Sequence, residues 1–385
     1  MNKTVFVGMS GGVDSSVTAA LLREQKYNVI GVHMRCYNVD GCAETDAEDA
    51  RRAAETLGIP FYVFNFEEVY KQKVVEYMVA GYREGITPNP DVMCNREIKF
   101  GIFLKKAREM GADYVATGHY VRLRRKILNK TKTFYQLSAG KDKNKDQSYF
   151  LWTLTQEQLK YSLFPIGIYT KPQVRVLAKK FKLLNAEKKD SQGICFLGKV
   201  TLADFLKEYI PEKKGAIIMT TGEKIGTHKG VYYYTIGQRK GLGIGGGEPY
   251  YIVKKDIKTN TLVVAKGDND PKLSHKEIDL IDVHIINPEI ISLSFAKGGQ
   301  AHISNNGHIE VMARVRYRQP VSQAMLVRTS NKQQTKGKRA LKNSTPHVTL
   351  NWSLHFKTPQ KFIASGQSAV FYTKTGDMIG GGVIV

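Results

Sequence analysis

Apolar residues in the first 120 positions fall into short unbroken runs, separated by longer stretches with helical spacing. Residues 4–9, 28–35, 61–66 and 112–117 are mostly apolar throughout, as strands are when both faces of their sheet are covered. Between them, 14–23, 43–57, 67–82 and 95–110 repeat apolar positions at helical intervals. This alternation predicts an α/β domain with a parallel, doubly wound, Rossmann-like sheet. Ligands are then expected beyond the carboxyl ends of its strands.

The pattern changes after residue 121. Alternation over 121–128 and 133–137 predicts a hairpin, and helices are expected at 171–181 and 201–209. Lys145-Asp-Gln-Ser-Tyr-Phe150 is expected to open a helix with Asp146 as its N-cap. Pro211-Glu-Lys-Lys-Gly215 reads as a boundary. Beyond it, short runs at 216–219, 232–235, 250–256 and 261–265 are punctuated by Gly, Asn and Asp, which predicts a small β-rich domain. Further strands start near Glu277 and recur at 309–316, 323–328, 347–354 and 367–373, consistent with a small barrel reaching Val385. The expected domains are therefore 1–210, 211–276 and 277–385. Within the last, 331–342 holds five cations and no acid and is expected to be a mobile basic loop, near 331–345 overall. Gly241-Leu-Gly-Ile-Gly-Gly246 matches G-x-G-x-x-G but leads into Gly247-Glu-Pro249 instead of a helix, so it reads as a loop between strands.

Composition alters this picture in one respect. An apolar content of 42% over 385 residues is ordinary for a globular chain, whereas 58 Lys+Arg against 35 Asp+Glu leaves a net charge of +23. That excess points to a polyanionic partner, nucleic acid ahead of an acidic membrane surface. Arg122, Arg124, Arg125, Lys126, Lys130, Lys132, Lys141, Lys143 and Lys145 face a single acid, Asp142, across the expected hairpin and the turn after it. No cleavable leader is expected, because Asn2-Lys3 runs straight into the first strand, and no apolar run is long enough for a membrane span. Four scattered cysteines do not make a secreted disulfide framework, so the expected location is the reducing cytoplasm.

Candidate chemistry begins at Val5-Phe-Val-Gly-Met-Ser-Gly-Gly-Val-Asp-Ser-Ser16. A strand, a glycine turn and a helix start let backbone N–H groups reach a phosphate, with the helix dipole behind them. Ser10, Ser15 and Ser16 would add hydroxyl donors. The lysine of the G-x-x-x-x-G-K-[ST] pattern is missing, so this is not the ordinary P-loop. At neighbouring strand ends, Met34 could pack on an adenine and Gly118 permits close backbone approach. His33 is expected to be a packed or surface side chain, while His119 is balanced between packing and ligand contact.

Two cysteines stand in polar contexts. Cys94 lies in Thr87-Pro-Asn-Pro-Asp-Val-Met-Cys-Asn-Arg-Glu-Ile-Lys-Phe100, where two prolines suggest an extended approach to a helix starting at Cys94 or Asn95. There the helix N-terminus, Arg96 and Lys99 would favour its thiolate, and Asp91 could face the same substrate group. Cys195 lies in the turn Lys189-Asp-Ser-Gln-Gly-Ile-Cys-Phe196. The plain alternative for each is a small buried residue. Cys36 and Cys42 belong to no C-x-x-C or histidine cluster, which argues against zinc and against catalysis.

The phosphate loop resembles that of the PP-loop ATP pyrophosphatases, of the adenine nucleotide alpha hydrolase-like fold. Taken with GMSGGVDSS (8–16), NPDVMCNREIKF (89–100), TGHY (117–120), KDQSYFL (145–151), DSQGICF (190–196), TIGQRKGLGI (235–244), RYRQ (316–319) and GQSAVFY (366–372), the whole chain resembles the tRNA-specific 2-thiouridylases. The resemblance implies a PP-loop domain, a central β-rich domain and a C-terminal β-barrel that contacts tRNA. It implies a sulfurtransferase that adenylates the C2 carbonyl of a wobble uridine and replaces its oxygen with sulfur, yielding 2-thiouridine, AMP and diphosphate. Gly8, Met9, Ser10, Gly11, Gly12, Val13, Asp14, Ser15, Met34 and Gly118 would hold ATP, with Mg2+ accompanying it and no tightly bound metal. Cys195 would carry the persulfide and Cys94 would act as nucleophile, with a transient Cys94–Cys195 disulfide. Asp91 would be the general acid/base, and Asn89, Pro90 and Asp91 would contact the flipped base. His119, Lys145, Asp146, Gln147, Arg316, Tyr317 and Gln367 would contact tRNA, with Arg314, Arg316 and Arg318 alternating along one strand. The partners implied are a tRNA anticodon arm and a persulfide donor, a cysteine desulfurase or sulfur relay protein; a monomer without membrane attachment is expected. Attack by the persulfide itself and attack by released hydrosulfide both remain open. The rival readings are another adenylating PP-loop ligase, which would need no cysteine pair, and an RNA-binding module without turnover.

Overall fold

The computed structural model describes residues 2–37, 42–128, 132–189, 197–198, 200–245, 247–286, 308–328 and 352–385. Cys195 and the basic stretch 331–345 lie outside the described residues. The chain divides into two compact units, Met1–Ala80 with Asn89–Pro211, and Gly81–Pro88 with Glu212–Val385.

The first unit is built on a sheet of β1 (Thr4–Gly8), β2 (Asn28–Arg35), β3 (Phe61–Asn65), β4 (Tyr114–Thr117) and the short β7 (Ser162–Leu163), in the order β3-β2-β1-β4-β7. All its pairings are parallel. Val5, Phe6 and Val7 are all buried, so the central strand has no polar face, as its unbroken apolar run required. Helix α1 (Val13–Glu24) lays Val17, Ala20 and Leu21 into a core shared with β1, α2 (Cys42–Thr56) and α6 (Lys171–Lys180). A helical run over 67–83, α3, is continuous but contains a wide-turn segment, Lys71–Val75.

The second long helical run, α4, differs from expectation at its start. It begins at Pro90, passes through a wide-turn segment at Cys94–Ile102 and ends with Phe103–Glu109. Proline fits the first helical position because that N–H has no intrahelical partner, and the Asn89 side chain caps the turn by accepting from the Val92 N–H at 3.3 Å. Cys94 therefore sits a full turn inside the helix and not at its N-terminus. The basic hairpin β5 (Val121–Leu128) and β6 (Lys132–Ala139) forms as the alternation predicted. Lys145–Phe150 opens no α-helix: Ser148–Phe150 is a single 3-10 turn. Asp146 is buried instead, accepting from the N–H groups of Gly140 and Ser148 at 3.0 and 3.1 Å. The remaining α-helices among the described residues are α5 (Gln156–Lys160) and α7 (Leu202–Lys207).

The second unit contains a four-stranded sheet of β8 (Gly215–Met219), β9 (Lys224–His228), β10 (Tyr250–Asp256) and β11 (Thr261–Lys266), in the order β10-β11-β8-β9. It also contains a closed barrel of β12 (Ser274–Ile285), β13 (Ile309–Arg314), β14 (Ser322–Arg328), β15 (Trp352–Lys361), β16 (Ser368–Tyr372) and β17 (Met378–Ile384), closed in the order β12-β15-β14-β13-β16-β17. Closure removes the exposed strand edges that a small antiparallel sheet would otherwise present. Two expectations are corrected here. Residues 232–235 form no strand, because Val231–Tyr233 is a 3-10 turn following Gly230 at φ 150°. Arg314, Arg316 and Arg318 do not alternate along one strand: β13 ends at Arg314, and the chain turns with Arg318 at φ 65°. The three guanidinium groups instead lie over separate rings, Arg314 on Tyr372, Arg316 on Phe362 and Arg318 on Tyr317. The 241–245 segment is not helical, as its sequence context indicated.

Candidate active site around the phosphate loop

Strand β1 is central, with β2 on one side and β4 on the other, so the chain reverses direction across the sheet between β1 and β4. In doubly wound sheets this switch point is where a ligand crevice opens. Ser10, Gly11 and Gly12 follow β1 there, and Gly118 follows β4. The two turns meet closely: a β-carbon on Gly118 would stand 2.8 Å from the Ser15 nitrogen and 2.9 Å from the Asp14 carbonyl carbon. Only glycine permits that approach.

Gly11 turns the chain with φ 73°, a region that favours glycine. Gly12 is the N-cap of α1 in extended conformation, and its carbonyl accepts from the Ser16 N–H at 3.3 Å, the first bond of the helix. The amides from Gly12 to Ser15 precede that bond and are the ones a helix start offers to an anion. Not every expected hydroxyl joins them. Ser15 and Ser16 are buried and both donate to Gly12 O at 3.1 Å, so they brace the turn; Ser10 is the exposed hydroxyl. Met9 and Val13 are buried core residues and can serve a nucleotide only through their backbone. The Met34 methyl lies against Gly8, 2.9 Å from where a β-carbon would be. His33 is packed, its Nδ1 at 3.1 Å from Met9 O.

Asp14, at the second position of α1, is held by two groups that sequence spacing did not single out. Lys171 Nζ donates to its Oδ1 at 2.8 Å, and the Tyr120 hydroxyl donates to the same oxygen at 2.7 Å. Lys171 is the first residue of α6, 157 positions from Asp14, and is buried. A cation thus does stand at this loop, although its own sequence carries none. The Thr170-Lys-Pro172 start of a helix was the available signal, and it is legible only as a helix start. A third group, Asn185, donates to Gly11 O and to Ser16 Oγ, both at 3.0 Å.

The α4 helix supplies a second cluster. Asp91 is half-buried, and desolvation pushes its carboxyl above the usual range, with the Lys99 charge pulling the other way. His119 is buried between Phe100 and Phe164, with ring centroids at 6.1 and 6.3 Å, and its Nδ1 lies 2.8 Å from Thr117 Oγ1. Burial first, then Lys99, holds His119 well below its ordinary pKa, so it is neutral at pH 7. Asp91 and His119 thus share Lys99 as a common charge. Cys94 is buried, 5% exposed. Arg96 does not serve it as expected, because its guanidinium is exposed and paired with Glu97 at 2.7 Å. Lys145 and Gln147 are half-buried beside Asp146, and the Gln147 side chain accepts from Tyr120 N–H at 3.0 Å. In the second unit, Arg316 and Tyr317 lie in the turn after β13. Gln367 donates to the carbonyls of Thr87 and Pro88 at 2.9 and 3.2 Å. No group of three His, Cys, Asp or Glu that could hold a metal occurs among the described residues, and no helix among them is long and apolar enough to cross a membrane.

The parallel sheet, the glycine loop at its switch point and the helix start behind it define a nucleotide-binding α/β protein with two β-rich modules appended. A family model described as the tRNA methyl transferase HUP domain matches residues 3–199; models for a tRNA methyl transferase PRC-barrel domain and an aminomethyltransferase beta-barrel domain match 203–266 and 332–384. A tRNA-specific 2-thiouridylase of Flavobacterium johnsoniae is 41% identical over 99% of this chain and 100% of its own length. One from Geobacillus kaustophilus is 44% identical, covering 96% of this chain and 92% of that protein. A solved 4-thiouridine synthetase–RNA complex with bound ATP overlaps with a TM-score of 0.32 at 16% identity, covering 51% of this chain and 46% of that one, a likeness too distant to carry an argument. The chain belongs to the tRNA-specific 2-thiouridylase family.

Proposed function

We propose that this protein is a sulfurtransferase that uses ATP to convert the wobble uridine of tRNA to 2-thiouridine. The observation that carries the reading is a phosphate loop at the switch point of a chain similar along nearly its whole length to 2-thiouridylases. A C2 carbonyl oxygen is a poor leaving group. In the proposed reaction the uracil oxygen attacks the α-phosphorus, diphosphate leaves, and AMP becomes the group that sulfur displaces.

The amides of Gly12 to Ser15 would receive the phosphates, with Gly8, Met9, Ser10, Gly11, Met34 and Gly118 shaping the nucleotide site. Lys171 would neutralise phosphate charge once it is drawn from Asp14. Mg2+ would arrive with ATP and screen its charge. Asp14, at the start of α1, is an oxygen ligand of the right kind to share it.

Asn89, Pro90 and Asp91 would receive the flipped base. The raised carboxyl of Asp91 suits a proton carrier, because a group titrating nearer neutrality both gives and takes a proton. Cys195 would accept sulfur as a persulfide from a cysteine desulfurase or relay protein. Either its terminal sulfur attacks C2 and Cys94 then cleaves the mixed disulfide, or Cys94 attacks first and frees hydrosulfide. Both routes expel AMP and leave a Cys94–Cys195 disulfide, which a thiol reductant must reopen. His119, Lys145, Asp146, Gln147, Arg316, Tyr317 and Gln367 are proposed to form or brace the tRNA surface, with domains at 1–210, 211–276 and 277–385. A monomer acting in the cytoplasm completes the reading.

The test is mass spectrometry of tRNA incubated with the protein, ATP and a persulfide source. A single oxygen-to-sulfur exchange at the wobble uridine is expected. Unmodified tRNA with no diphosphate released would overturn the reading, and product formation by Cys195→Ser would favour a ligase that needs no cysteine pair.

A further inference from the structure

Two consecutive glycines make the phosphate loop easy to misorient. Neither Gly11 nor Gly12 has a β-carbon to favour one orientation of the peptide that joins them, so that peptide can rotate at little cost. Because the peptide is trans, its C=O and N–H point in opposite directions. Whichever way the Gly11 carbonyl turns, the Gly12 N–H faces the other side. An anion site built from backbone N–H groups therefore needs something to hold that carbonyl.

We propose that Asn185 is a positioning residue for ATP: its side-chain amide fixes the Gly11–Gly12 peptide and so presents the Gly12 N–H to phosphate. Asn185 Nδ2 donates to Gly11 O and to Ser16 Oγ, both at 3.0 Å, joining the glycine turn to the first turn of α1. The amide cannot be reversed, since that would set Oδ1 against the Gly11 carbonyl. In the orientation that the carbonyl demands, Oδ1 is buried without a hydrogen-bond partner among the described residues, on a residue only 8% exposed. An unpaired buried acceptor is a cost that a residue serving packing alone would avoid.

The surroundings hold Asn185 in place. Three residues on, Lys188 Nζ binds Asp46 Oδ1 at 2.8 Å and Asp49 Oδ2 at 2.6 Å on α2. Asp46 also backs the loop: a β-carbon on Gly11 would stand closer to its carbonyl oxygen than any real contact allows. Gly11 thus touches both α2 and Asn185, and the segment carrying Asn185 is tied to that same helix.

The inference rests on the loop being the ATP site, and the experiment separates the two. Diphosphate release by the wild-type protein with tRNA, measured against ATP concentration, tests the site itself. Asn185→Leu and Asn185→Asp are then compared with wild type, with thermal melts confirming that each is folded. Asn185→Leu should raise the ATP KM about three- to tenfold, the worth of one hydrogen bond. Asn185→Asp should raise it further, because a carboxylate repels the Gly11 carbonyl. The tRNA KM should be unchanged and kcat at saturating ATP should stay within about twofold, since binding is what the bond controls. An unchanged ATP KM in either folded variant would overturn the proposal. So would a fall in kcat with both KM values moving together, which is the pattern of general structural damage. If the Leu variant does not fold, the Asp variant decides alone.

Discussion

Replacing Gly118 by alanine probes the meeting of the two strand-end turns most directly. The added methyl would lie 2.8 Å from Ser15 N, 2.9 Å from Asp14 C and 3.1 Å from Ser15 Cα. All three are backbone atoms of the first turn of α1, so no flexible side chain can give way. Either the β4 turn or the helix start must move by several tenths of an ångström. Overpacking of this kind costs about 1–3 kcal/mol, and a unit of this size loses about 2–4 °C of melting temperature per kcal/mol. A fall of roughly 2–12 °C is therefore expected. The same displacement moves the Asp14 and Ser15 amides, and bonds from such donors to a charged phosphate are worth about 1.5–3 kcal/mol each, so partial misalignment should raise the ATP KM about tenfold. The assay pairs a thermal melt with tRNA-dependent diphosphate release over a range of ATP concentrations. Gly245→Ala, whose methyl meets nothing within 4 Å among the described residues, serves as the reference substitution. A Gly118→Ala protein with both melting temperature and ATP KM at wild-type values would refute the close approach of the two turns.

Two further outcomes follow from buried charges. Lys171→Met leaves the Asp14 carboxylate with only the Tyr120 hydroxyl of the two side-chain donors it has among the described residues; diphosphate release should fall by at least about tenfold while tRNA binding by filter retention is unchanged, and near-normal release would remove Lys171 from the site. Burial lowers Lys255 to about 8, and its Nζ donates to Tyr234 O at 2.8 Å. Between that value and the unfolded lysine value near 10.4, the unfolded chain binds more protons, so this group's contribution to stability rises with pH across the window. The melting temperature of the wild type should climb relative to Lys255→Met between about pH 8 and 10, and parallel pH profiles would count against a desolvated ammonium.

The parallel sheet was legible because its strands are unbroken apolar runs; the reading of 28–35 coincides with β2. Short half-exposed strands were not. Lys224–His228 went unread because its alternation is diluted by glycine, threonine and lysine, and sheet pairing supplies what local preference lacks. The start of α4 was displaced because Pro90 was taken as a barrier when it is a favourable first residue. The phosphate loop was visible as a local motif. Its supports were not, since Lys171 and Asn185 reach it only through tertiary folding and carry no periodic signal of their own. The buried state of Asp146 and His119 was equally hidden, because a polar letter in a loop does not disclose whether its hydrogen bonds go to solvent or to backbone.

The Asp14–Lys171 pair also has a consequence for how the protein is made. The loop leaves the ribosome well before its supports, since the lysine and the asparagine that hold it emerge 157 and 174 residues after the groups they bind. At about 5–20 residues per second, that is a delay on the order of 10–30 s. During that interval the nascent strand and glycine turn carry an unpaired aspartate and an unheld peptide. The nucleotide site is thus completed only near the end of the first unit's synthesis, and ATP would reward the finished fold without rescuing a truncated one.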